Sequence, residues 1–126
     1  LMSDGECNEG TVWEAASFAS AQNLSNIIVL IDHNKWQATG RTSEITGGNL
    51  IDKWLAFGWH TFDIDGNNVN DLKNVLKKAK KSKKPVAIIA NTIKGKGIHF
   101  MEDDNNWHYR IPNIDELNKI KILLNQ

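Results

Sequence analysis

The feature that most constrains this chain is a pair of largely apolar runs, residues 27–31 and 86–93, rich in β-branched side chains. A strand that alternates hides one face, whereas one that is apolar at successive positions must be covered on both. That is the situation in a parallel sheet with helices above and below. Parallel neighbours need long crossover connections, and helical patterns lie where such crossovers would run. Residues 9–22 put Val12, Ala15, Ala16 and Ala19 on one helical face, with Trp13 and Phe18 beside it, and the polar stretch 23–26 breaks the pattern. Leu50, Ile51, Trp54, Leu55 and Phe57 mark a helix over 50–57, which Gly58 stops. Trp59, Thr61, Phe62 and Ile64 read as a strand closed by Asp65-Gly66. Asn68 or Asn70 then caps a helix reaching 81, with Val69, Leu72, Val75, Leu76 and Ala79 as its buried stripe and Pro85 as its stop. Residues 94–109 are irregular, and 114–124 form a terminal helix. This order predicts an α/β fold: a parallel sheet with helices on both faces and right-handed crossovers, forming one domain over residues 1–126.

Length and charge narrow the function. At 126 residues the chain amounts to slightly less than one typical domain. Lys+Arg and Asp+Glu both number 15, so the basic excess that nucleic acids or an acidic membrane surface require is absent. The dense basic stretch at 73–84 reads as the solvated face of a helix. A single cysteine excludes an internal disulfide framework and a multi-cysteine zinc site. No run of 18 apolar residues offers a membrane span, and no signal peptide is visible, so a cytoplasmic location is expected. Leu1-Met2-Ser3-Asp4-Gly5 reads as the end of a buried strand turning into a loop, so the sheet is expected to be incomplete at its N-terminal side and the chain to be part of a larger polypeptide.

In open parallel sheets ligands bind beyond the carboxyl ends of the strands. Three irregular, polar loops fall there: residues 3–10, 32–40 and 94–108. The first leads from a strand end into a helix start, where unpaired N–H groups and the helix dipole favour an anion such as a phosphate. Gly5 lets the backbone approach a ligand, and Asp4 supplies a carboxylate. A plain Asp-Gly turn, with acids balancing the dipole, explains the same residues. Asn34 follows Asp4 by 30 positions, one helix plus one strand, which returns it to the same sheet edge. A carboxylate, an amide oxygen, a main-chain carbonyl and phosphate oxygens make a shell suited to Mg²⁺. Alone, an Asp-Gly with a distant Asn is common by chance. The other candidates are weaker. Residues 94–97 lack the spacing of a nucleotide phosphate loop, His33, His60 and His99 read as surface or structural histidines, and Cys7 reads as an incidental thiol.

Longer strings carry more. Asp4-Gly5 with Asn34 resembles the thiamine-diphosphate fingerprint. SDGECNEGTVWEAASFA, NLSNIIVLIDHNKWQATG, KWLAFGWHTFDIDG, KKPVAIIANTIKGKG and WHYR together resemble, in order and spacing, the diphosphate-binding domain of transketolases, in particular the bacterial split form made of two polypeptides. The resemblance implies Asp4 and Asn34 as side-chain ligands of a divalent metal (Mg, or Ca or Mn), with Trp36 giving a main-chain carbonyl. It implies that Gly5 meets the cofactor diphosphate, that Glu9 lies at the subunit interface linking two cofactor sites, and that His108 stands near the diphosphate and the substrate. Glu9 and His108 would be the catalytic members of this chain, and residues 92–97 the loop leading to His108.

Some positions depart from the family. Ser3 replaces the first glycine of the fingerprint, and Ala38 a larger aliphatic residue near the thiazolium. Asn67 stands where a histidine is common, and Tyr109 where glycine is usual, both near the expected substrate mouth. The family's activating glutamate belongs to a pyrimidine-binding half that this chain lacks. The resemblance therefore implies a partner half, a homo- or hetero-oligomer, sugar phosphate substrates and no activity for this chain alone. The expected reaction is transfer of a two-carbon ketol unit from a ketose phosphate to an aldose acceptor. Two alternatives remain: another thiamine-diphosphate enzyme such as a 1-deoxyxylulose-5-phosphate synthase, and a non-catalytic interaction subunit.

Overall fold

The structure, a computed structural model, describes residues 1–124, and the chain packs as two compact units, Leu1–Thr92 and a second beginning at Ile93. The first unit holds a four-stranded parallel sheet in the order β1-β2-β6-β5, from β1 (Met2–Ser3), β2 (Ile28–His33), β5 (His60–Asp65) and β6 (Val86–Asn91). Two short strands, β3 (Trp36–Gln37) and β4 (Gly40–Arg41), form a separate antiparallel pair. The helices of this unit are α1 (Gly10–Ala21), α2 (Thr42–Ile45), α3 (Leu50–Ala56) and α4 (Val69–Ala79).

The central strand explains the apolar run at 86–90. Val86 to Ala90 are all buried because β6 has a strand on each side and helices on each face. Its side chains alternate between two cores. Ala87 and Ile89 join Ala16 and Ala19 of α1 and Leu50 and Trp54 of α3; Val86 and Ile88 join Val75 and Ala79 of α4. The strand stops at Asn91, two residues short of the expected 93, where polar side chains begin, and Ile93 is 41% exposed.

The matching expectation for β2 holds only in part. Ile31 is fully buried, while Ile28, Val29 and Leu30 are half-buried, because β1 pairs with Ile31 and Asp32 alone. β2 also runs on to His33, so Asp32 and His33 belong to the strand rather than to the loop that follows. The loop expected over residues 32–40 holds β3 and the start of β4, and α2 follows directly.

Helix ends follow their local chemistry. Gly58 takes φ 83°, which stops α3, and Asn68 caps α4 by accepting from the N–H groups of Asn70 and Asp71. The buried stripe of α4 is narrower than predicted: Val75 and Ala79 are buried, but Val69 is 59% exposed. Trp13, Trp54 and Trp59 pack together, Trp54 meeting Trp59 edge-on at 4.8 Å, and the Trp59 indole N–H donates to the Ala16 carbonyl.

In the second unit, Asn105–His108 forms a short 3₁₀ turn, and α5 (Ile114–Leu123) begins with a capping box between Asn113 and Glu116. Among the described residues no helix is long and apolar enough to cross a membrane.

Candidate functional site

Asp4 leaves the end of β1 and is completely buried. Its N–H donates to the Asp32 carbonyl at 3.1 Å, continuing the β1–β2 ladder by one residue. The turn that follows is held by a reciprocal pair: the Ser3 N–H donates to Glu6 at 2.7 Å, and the Glu6 N–H donates to the Ser3 hydroxyl at 3.2 Å. The Ser-x-x-Glu spacing that makes this pair is a signal the sequence carries outside the fingerprint. It makes serine a working residue where the fingerprint has glycine. Gly5 fits closely here, since a Cβ would lie 3.3 Å from Cγ of Gln37.

The two carboxylate oxygens of Asp4 have different surroundings. Oδ2 accepts from the Lys35 N–H at 2.8 Å and from the Thr42 hydroxyl at 3.0 Å, and His33 Nε2 stands 4.0 Å away. Oδ1 is buried and finds no hydrogen-bond partner among the described residues. A buried carboxylate oxygen without a partner is unfavourable by several kcal/mol and rarely left so. Such an atom suits a cation.

Asn34 lies in the same network. Its Nδ2 donates to Asp32 Oδ2 at 3.2 Å, while its Oδ1 accepts from the Trp36 N–H at 2.9 Å. The other Asp32 oxygen accepts from the Thr92 hydroxyl. Between Asn34 and Trp36, Lys35 takes φ 69°, a left-handed conformation uncommon for a residue with a side chain, and this turns its N–H onto Asp4. Trp36 opens β3 half-buried, with the Arg41 guanidinium 3.8 Å over its ring. Asp4, Gly5, Asn34 and Trp36 are thus brought together at the carboxyl edge of the sheet.

Glu9 and His108 are the remaining expected residues. Glu9 is exposed and opens α1 with a main-chain cap only, its side chain making no capping bond. His108 belongs to the second unit, exposed at the end of the 3₁₀ turn, its ring 4.7 Å edge-on to Tyr109. That turn is fastened by Asp104, which accepts from the Asn106 N–H, and by the Trp107 indole, which donates to the Phe100 carbonyl.

Other residues of the site have no clear mark in the sequence. Thr42 gives no signal, because a lone threonine in a polar stretch has no period or motif. His33 reads from sequence as surface or structural, yet it is half-buried and its Nδ1 lies 3.1 Å from Asn91 Oδ1, while the Asn91 amide donates to Asp63 and to the Ile64 carbonyl. The register of β2 and β6 sets His33 opposite Asn91, with Asp63 two positions back on β5, and register is a property of the folded sheet. A cleft of about 620 Å³ opens beside them, lined by His33, Lys35, Arg41, Thr42, Lys53, Asp63 and Asn91 among others. Burial, reinforced by the nearby Asp4 carboxylate, pushes the Cys7 thiol up to about 11, so it is a poor nucleophile.

Among the described residues no three His, Cys, Asp or Glu side chains form a metal cluster. The donors at hand are instead one carboxylate, one amide oxygen and main-chain carbonyls, a hard oxygen set.

The chain is similar to known proteins in sequence and in fold. Residues 1–124 match the family described as "Transketolase, thiamine diphosphate binding domain". A 6-deoxy-6-sulfo-D-fructose transketolase subunit of Clostridium sp. (strain MSTE9) is 46% identical over 104 residues, covering 81% of this chain and 38% of that protein. An apulose-4-phosphate transketolase subunit of Actinobacillus succinogenes is 40% identical over 118 residues, covering 93% of this chain and 43% of its own length. The crystal structure of a Campylobacter jejuni transketolase superposes with a TM-score of 0.90 at 30% identity, covering 96% of this chain and 19% of that one. The chain therefore spans less than half the length of each of these relatives. With its parallel α/β sheet and its residues from 1 to 124 matched throughout, the chain belongs to the transketolase family, as a thiamine diphosphate binding domain.

Proposed function

We propose that this chain is the diphosphate-binding part of a split transketolase that moves a two-carbon ketol unit from a ketose phosphate to an aldose acceptor. The observation that carries the reading is the buried, unpartnered Oδ1 of Asp4, whose other oxygen accepts from the N–H of Lys35, the residue after Asn34. Asp4, the Asn34 amide oxygen and the Trp36 carbonyl would hold Mg²⁺, or Ca²⁺ or Mn²⁺ in its place. Gly5, at the turn before α1, would bring its N–H to the diphosphate. Bound thiamine diphosphate supplies the carbanion stabilisation needed to break the bond beside a ketose carbonyl. This chain's share is to anchor and orient. His108 would hydrogen-bond the diphosphate or the substrate, and Glu9, exposed at the head of α1, would face the partner across the subunit interface.

Both units would belong to one partial domain over residues 1–126, working with a pyrimidine-binding half in an oligomer in the cytoplasm. The names of the relatives as transketolase subunits support a separate partner polypeptide. The test is reconstitution. Mixed with the pyrimidine-binding half, Mg²⁺ and thiamine diphosphate, the chain should transfer a ketol unit between sugar phosphates, and each half alone should be inactive. Absence of transfer from every ketose phosphate tried would sink the transketolase reading. Asp4→Ala combined with Asn34→Ala should abolish metal-dependent cofactor retention, measured by equilibrium dialysis.

A further inference from the structure

We infer that Thr42 is a positioning residue for the metal-binding carboxylate: its hydroxyl, together with the Lys35 N–H, holds one oxygen of Asp4 so that the other is presented to the cation. The inference rests on the reading of Asp4 as a metal ligand given above.

A carboxylate can turn about its last bond, and a monodentate ligand is useful only if that rotation is stopped. Two donors on the same oxygen stop it: Lys35 N–H at 2.8 Å and Thr42 Oγ1 at 3.0 Å, both on Oδ2. Oδ1 is left buried with no hydrogen-bond partner among the described residues. Thr42 is itself only 9% exposed, so little water competes for its hydroxyl. Its main chain is tied to the same segment, since the Thr42 N–H donates to the Lys35 carbonyl at 3.1 Å. Thr42 therefore grips the Asn34–Trp36 segment with its backbone and Asp4 with its side chain, joining the two ligand-bearing loops. Groups that orient metal ligands from behind typically alter metal affinity by about 10–100-fold when removed.

The test uses the assembled enzyme, this chain with its pyrimidine-binding half and thiamine diphosphate, titrated with Mn²⁺ while the free ion is followed by electron paramagnetic resonance. Thr42→Val keeps the shape and removes the donor; Thr42→Ser keeps the donor. Thr42→Val should weaken Mn²⁺ binding about 10–100-fold, and Thr42→Ser should bind as the unaltered chain does. Circular dichroism melts without metal check that each variant folds. If Thr42→Val does not fold, Thr42→Ala against Thr42→Ser makes the same comparison, and failure of both donor-less variants to fold would make Thr42 structural and overturn the inference. Asp4→Ala separates the two levels. Unchanged Mn²⁺ affinity in Asp4→Ala removes the metal-ligand reading itself. Weakened affinity in Asp4→Ala with unchanged affinity in Thr42→Val leaves that reading intact and overturns the role of Thr42. Equal weakening in Thr42→Val and Thr42→Ser also overturns it, because the hydroxyl would then not be the operative group.

Discussion

Individual residues are specified by what a small change would disturb. Gly66, just after β5, donates its N–H to the Asn91 carbonyl at 2.7 Å. A Cβ there would come within 2.6 Å of Thr92 Cγ2 and 2.9 Å of Ala90 Cβ, and Ala90 has no rotamer with which to yield. Gly66→Ala should therefore destabilise the chain by about 1–3 kcal/mol in chemical denaturation, with Thr92, the partner of Asp32, disturbed as well. Cys7 is the converse case, a reactive residue type made inert. Its thiol is 2% exposed and is pushed from 9.0 to about 11, so at pH 8 almost no thiolate exists in the native state. Iodoacetamide should leave Cys7 unlabelled in the folded chain and alkylate it after denaturation, as read by intact mass. Labelling of the native chain at the unfolded rate would contradict this burial.

Elements show how far sequence patterns reach. The tryptophans at 13, 54 and 59 and the central apolar strand were legible, because large side chains and unbroken apolar runs have few places to go. Strand ends and the interior of 32–48 were not. Whether Asp32 and His33 continue a strand depends on the partner β6 supplied far along the chain, and the two-residue strands β3 and β4 have no period to detect. Asp4, Gly5 and Asn34 stand out in the sequence because they form a motif, and Trp36 because of the family resemblance; Thr42 and the Asp63–Asn91–His33 row do not, because they meet only through the fold. Capping residues have clear local consequences. Asn68→Ala should lower stability by about 1 kcal/mol, since the N–H groups of Asn70 and Asp71 lose their acceptor. In the second unit, the Gly97 N–H on Glu102, with Lys96 at 3.6 Å, holds the Glu102 carboxyl below its ordinary 4.5. A depressed folded pKa means the contact is complete above the ordinary range and is lost as pH falls through the folded value. The Gly97 amide resonance should thus shift on acidification below pH 4.5, and Glu102→Gln should remove that step.

At the scale of the whole molecule, formal neutrality conceals an uneven distribution. The lysines of residues 73–84 are all exposed, as their reading as a solvated face requires, while the buried carboxylate of Asp4 accepts from the Lys35 N–H and the Thr42 hydroxyl. Burial is uneven too. In the first unit, β6 is covered on both faces and by a strand on each side, and the two cores meet across it. In the second unit Ile98 is the buried apolar residue among those described, and α5 buries none of its side chains while Ile114 and Ile122 are 69% and 75% exposed. Helices of this length draw most of their stability from packing, so a capping box alone holds α5 weakly. Local openings should therefore differ between the units. Native-state hydrogen exchange on the isolated chain should show β6 amides exchanging only through global unfolding, their exchange free energy falling with denaturant at the full equilibrium slope. The α5 amides should exchange far faster and with almost no denaturant dependence, because their opening exposes little new surface. Equal protection of α5 and β6, with the same slope, would mean that the isolated chain unfolds as one cooperative body despite the uneven burial.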